Sequence, residues 1–94
     1  MNTEIINMIL SDKKTQLSEL QERLQVVQNA LERTKFEENM YYYLQKGSKY
    51  ADEFAKKEEE SKNVIGDLSS EEEDLIKEIR ILEIETNFVE KCLN

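Results

Sequence analysis

The sequence contains no histidine, proline or tryptophan, only two glycines and a single cysteine. Each shortage narrows what the chain can be. Without histidine there is no zinc ligand of the commonest kind, no side chain with a titration midpoint near neutral pH, and no Ser–His or Cys–His nucleophile pair. One cysteine, Cys92, rules out an intramolecular disulfide and a thiolate zinc site within one chain. It reads as a small apolar residue in a reducing compartment. No glycine-rich phosphate loop is present, and the acidic runs lack the alternating spacing and the turn glycine of a calcium loop. One carboxylate pair, Asp74 and Glu78, has the i to i+4 spacing of a helical metal-dependent hydrolase. Glu73 is equally spaced from Lys77, however, and acids in a first helical turn are favoured by the helix dipole alone. No catalytic residue, metal or cofactor is expected, and the chain is not read as an enzyme.

What the sequence does contain is helix-forming. In 94 residues, 38% are hydrophobic and 36% charged, which is the composition of coiled coils and long-helix bundles in a single domain. A chain this short buries only about 60–65% of its unfolded surface, so a lone helical hairpin would be marginal and completion by self-association or a partner is expected. The apolar run from Ile5 to Leu10 is too short to span a bilayer, nothing basic precedes it, and Glu4 interrupts it. The expected location is therefore the cytoplasm. A net charge of −8 argues against direct nucleic-acid binding. Its distribution is uneven: residues 1–34 sum to −1, residues 35–57 to +1 and residues 58–94 to −8.

The fold class expected is all-α, a coiled-coil-like bundle with three helices. The first, over about 3–46, is marked by Leu10, Leu17, Leu24 and Leu31 at seven-residue intervals, with Ile6, Leu20 and Val27 between them. Lys13 and Thr34 are its weak members, Val26 and Ala30 make a thin second face, and Thr3 or Ser11 is available as a cap. Past Leu31 the apolar line swings to Phe36, Met40 and Tyr43. Gly47-Ser48 permits either a turn or a continuous helix. A polar middle helix is expected over 49–65. A stronger break is expected at Gly66-Asp67-Leu68-Ser69, followed by a capping box of Ser70 with Glu73 or Ser69 with Glu72. The helix from 70 to 93 then carries two apolar stripes: Leu75, Ile79, Leu82, Thr86, Val89 and Leu93 on one line, and Ile81, Ile84, Phe88 and Cys92 on another. One stripe suffices for one neighbour, so two imply two.

Four groups of residues are candidates for function. Leu10, Leu17, Leu20, Leu24, Val27 and Leu31 form a helix-seam interface, and Ile81, Ile84, Phe88 and Cys92 a second contact stripe. Phe36, Tyr41, Tyr42, Tyr43, Tyr50 and Phe54, six of the seven aromatics, form a contact zone with Lys46 and Lys49 among them. The bland alternative makes Phe36, Met40, Tyr43 and Phe54 interhelical core. The acidic patch comprises Glu58, Glu59, Glu60, Asp67, Glu71, Glu72, Glu73 and Asp74. Three readings follow. The first is a non-enzymatic protein–protein interaction or assembly module, homo-oligomeric or docked on a larger protein, with no nucleic acid and no membrane. The second is an acidic inhibitor of a basic groove, of the kind viruses direct at host defence proteins in the host cytoplasm. The third is an oligomer that holds a small planar anion between Tyr and Lys side chains. The Trp-x-Gly turn of small secreted helical hairpins is missing here, since Gln45 stands two places before Gly47 and there is no tryptophan. No family is assigned.

Overall fold

The structure, a computed structural model, describes residues 2–94. Two α-helices account for nearly all of them: α1 (Thr3–Leu44) and α2 (Ala51–Leu93), joined by a short turn. The three-helix expectation is corrected. Residues 49–65 and 70–93 are not separate helices, because α2 runs unbroken through Gly66 and both serine caps. The reason lies in the heptad count. Along α2 one line of buried or half-buried residues, Ala51, Phe54, Glu58, Ser61, Ile65, Leu68, Glu72, Leu75, Ile79, Leu82, Thr86 and Val89, alternates steps of three and four with no slip, and the other half-buried residues, Ser69, Glu71, Ile76 and Glu90, directly adjoin it. Gly66 lies off that line, where an added Cβ would meet nothing within 4 Å. A glycine outside the packed line removes no contact, and its cost of ~1 kcal/mol is absorbed by the packing on either side.

The break falls at the other glycine. Gly47 has φ +72°, the left-handed conformation that a residue without Cβ adopts freely. Ahead of it the last turn of α1 tightens, with the Lys46 N–H donating to the Tyr43 carbonyl at 3.2 Å. Behind it, Ser48 starts α2: its Oγ accepts from the Tyr50 N–H at 3.0 Å and its carbonyl from the Ala51 N–H at 3.3 Å. At the beginning of α1 the cap is Asn2 rather than Thr3 or Ser11, its Oδ1 accepting from the Glu4 N–H at 2.8 Å. Asn is as good a cap as Ser or Thr, and Ser11 lies a full two turns inside the helix.

The chain divides into two units. The terminal unit comprises the residues up to Gln25 with Glu73–Asn94, and the turn unit is Val26–Glu72. In the terminal unit α1 and α2 are antiparallel and pack through Ile6, Leu10, Lys13, Leu17, Leu20 and Leu24 against Leu75, Ile79, Leu82, Thr86 and Val89. Ile6, Leu75, Ile79, Leu82 and Thr86 are its buried residues. Lys13 pairs with Glu85 at 3.3 Å and Lys14 with Glu90 at 3.4 Å, both across the helix pair.

The turn unit is a helical hairpin whose facing residues mix polar and apolar side chains. Val27, which is 1% exposed, and Leu31 are its buried apolar residues, and Ser61 is buried as well. From there toward the turn the less exposed residues are Thr34, Glu37, Glu38 and Tyr41 of α1 and Gln45 just past its end. The apolar line therefore does not swing to Phe36, Met40 and Tyr43. The heptad count holds and its members change chemistry. Tyr41 stacks on Phe54 with ring centroids 6.3 Å apart, and the Gln45 amide donates to the Glu58 carboxylate at 3.0 Å.

Candidate functional site

The leucine seam is spent inside the chain. Leu10, Leu17, Leu20 and Leu24 face α2 in the terminal unit, and Val27 and Leu31 do so in the turn unit. They hold the helices together and leave little surface for a partner.

The second stripe has the opposite fate. Ile81, Ile84 and Phe88 are 48%, 70% and 69% exposed, and Cys92 is exposed too. In the same unit α1 exposes Ile5, Met8 and Ile9. Heptad geometry relates the two sets. With the packed residues at a and d, Ile81 and Phe88 occupy c and Cys92 occupies g; on α1, Ile5 is c and Ile9 is g. In an antiparallel pair the g flanks of both helices lie on one side, so these five residues share that side. Of the flanking e positions on the opposite side, Asn7, Lys14 and Gln21 on α1 and Glu83 and Glu90 on α2 are polar, and Ile76 on α2 is apolar and half-buried. The sidedness is visible between the helices as well. On the apolar side lies a groove of ≈ 390 Å³ lined by Gln16, Glu19, Leu20, Glu78, Ile81 and Leu82.

The aromatic zone falls entirely in the turn unit and splits in two. Tyr41 and Phe54 face each other within the hairpin. Phe36, Tyr42, Tyr43 and Tyr50 are exposed, Phe36 as much as 70%, so the expectation of Phe36 and Tyr43 as interhelical core is corrected. Their positions explain it: both are f residues, directed away from α2. The lysines cap the rings themselves. Lys46 Nζ lies 4.6 Å from the Tyr42 centroid and 5.3 Å from that of Tyr43, Lys49 lies over Tyr50, and Lys57 over Tyr41. Tyr42 and Tyr43 meet edge to face at 5.3 Å.

The acidic patch winds around α2. Glu58 and Glu72 take facing positions within the hairpin, Glu59 and Glu73 lie on the outer face, Glu71 on the g flank, and Glu60, Asp67 and Asp74 repeat every seven residues along one line. Among the described residues no group of three or more His, Cys, Asp or Glu is placed to hold a metal ion, and no helix is long and apolar enough to cross a membrane. Comparison with known families, curated proteins and solved structures found no match for this chain.

The exposed apolar surface that sequence reasoning missed is the α1 half of this side, Ile5 and Ile9. Their signal was present in the run from Ile5 to Leu10, which spreads apolar residues around more than one face of a helix.

Proposed function

We propose that the chain is a non-enzymatic protein–protein interaction module whose terminal unit docks on a further helix through its apolar side. The observation that carries this reading is the exposure of Ile81 and Phe88 on a helix whose packed line is already filled by α1. Clustered exposed apolar surface on one side of a helix pair is the ordinary mark of an interface. Two helices bury little, and a third or fourth would supply the missing burial.

The test is absolute mass by light scattering over a range of concentrations, together with affinity capture of partner proteins, on the intact chain and on an Ile81→Ser/Phe88→Ser variant. The variant should keep its helical circular dichroism and lose association. Equal association by both proteins would overturn the reading.

A further inference from the structure

Two residues in the packed line of the terminal unit are poorly chosen for stability. Lys13 and Thr86 occupy heptad positions that are otherwise filled there by leucine, isoleucine and valine. The Lys13 side chain is only 23% exposed, and Thr86 is buried with no hydrogen-bond partner for its Oγ1. An apolar residue of similar size would pack at either place without desolvating a polar group. Lys13 reaches Glu85, the residue that precedes Thr86, so the two polar members stand at one level of the helix pair. A slip of one heptad in either direction separates them. Lys13 would then face Ile79 or Leu93, and Thr86 would face Ile6 or Leu20.

Charge on the flanks divides between the helices in the same sense. Up to Gln25, the packed line of α1 and its e and g flanks carry Lys13, Lys14 and Arg23 and no acid. From Glu73 onward the same positions of α2 carry Glu78, Glu83, Glu85 and Glu90 and no base. Two ion pairs cross between them, Lys13 with Glu85 at 3.3 Å and Lys14 with Glu90 at 3.4 Å. A second α1 paired in parallel register would set Lys13 against Lys13, with no carboxylate on either flank. A second α2 would set glutamates against glutamates. Both arrangements place like charges together.

We propose that the Lys13–Thr86 layer and the segregated flanks form a pairing code, which confines the leucine seam to α1 with α2 in this one register. Neither helix then pairs with its own kind, although the leucine spacing alone would permit it. The layer gives up stability for uniqueness, the best-attested role of a buried polar residue in a coiled coil. The code acts within the seam and is independent of what docks on the exposed apolar side.

The experiment uses the full chain carrying Ile81→Ser/Phe88→Ser, so that association through the apolar side does not contribute. This parent and its Lys13→Leu/Thr86→Leu derivative are unfolded in denaturant, refolded at high concentration, and weighed by light scattering after size-exclusion chromatography. The parent should return as one species. The derivative should melt about 4–8 °C higher and should also yield discrete species of twice the chain mass or more. Lys13→Met/Thr86→Val, which changes side-chain volume less, carries the same expectation should the leucine pair fail to fold. Gly66→Ala, a stabilising change outside the seam, should leave the parent's single species in place, which separates pairing from stability.

A derivative that refolds to the parent's single mass overturns the proposal, as does a parent that itself refolds to several. New species produced equally by Gly66→Ala also overturn it, because stability and not pairing would then be the cause. None of these outcomes bears on the interaction reading, whose surface is removed in every protein compared.

Discussion

In the terminal unit the positions that face across the helix pair are mostly leucine and isoleucine, with Lys13, Thr86 and Val89 as the exceptions. In the turn unit the same heptad positions hold Thr34, Glu38, Gln45, Glu58, Ser61 and Glu72 interspersed with Val27, Leu31, Tyr41, Ala51, Phe54, Ile65 and Leu68. One periodicity is thus filled with two chemistries, and chain connectivity accounts for the difference. Near Gly47 the facing residues are close in sequence, Gln45 and Glu58 being 13 residues apart, so the turn itself holds them together. Lys13 and Glu85 are joined by most of the chain. Closing that longer loop alone costs ~1.5 kcal/mol more in entropy, and the helices there lack the turn's geometric restraint. Apolar burial is concentrated where the covalent chain helps least.

The contrast is open to attack by substitution. The largest effect is expected at Leu82, where alanine should cost about 2–4 kcal/mol through lost burial and a cavity. Ser61→Ala, equally shielded from solvent in the turn unit, should cost under ~1 kcal/mol. Denaturant titration of both variants measures the pair, and equal costs would erase the distinction between the units.

Thr86 sharpens it from the other side. Its Oγ1 is buried without a hydrogen-bond partner, whereas the Thr15 and Thr34 hydroxyls donate to the carbonyls of Ser11 and Ala30 at 3.0 and 2.8 Å. Thr86→Val should therefore raise stability by ~1 kcal/mol, since the hydroxyl is desolvated for no return. A lower melting temperature would show that the hydroxyl is satisfied in solution.

The two glycines form a third pair. Gly47→Ala should lower stability by ~1 kcal/mol, because alanine pays for the left-handed conformation although its Cβ meets nothing. Gly66→Ala should raise it by about 0.5–1 kcal/mol, because that site is an unstrained helix interior with open space around it. Thermal melts that moved in the same direction would contradict the assignment of one glycine to the turn and the other to the helix. The smallest effect is expected at the surface ion pair: Glu85→Gln should cost no more than ~0.5 kcal/mol and should vanish in high salt, both side chains being partly solvated.

The helical class, the leucine line of α1 and the two stripes beyond residue 70 were legible in the sequence because leucine and isoleucine recur there at helical intervals. The continuity of α2 was not. Between Phe54 and Leu75 the facing positions include Glu58, Ser61 and Glu72, so a search for apolar residues loses the count. Gly66 and two serines then resemble a helix end, although only Gly47 adopts a turn conformation. Local signals named two possible breaks, and the heptad phase decided between them. The apolar side was half legible: Ile81 and Phe88 stood out on α2, but their sharing a side with Ile5 and Ile9 depends on the antiparallel pairing, which no single helix encodes.

Every tyrosine of the chain, Tyr41, Tyr42, Tyr43 and Tyr50, belongs to the turn unit, and there is no tryptophan. Near-ultraviolet absorption and intrinsic emission therefore observe that unit almost alone, whereas far-ultraviolet dichroism weighs both helices along their whole length. A dye on Cys92, the lone thiol, reports from the terminal unit. The molecule thus comes with separate optical channels for its two halves. If the three signals coincide through a melt, the halves unfold as one cooperative body; if the tyrosine channel moves first, the polar hairpin opens while the leucine-rich end still holds.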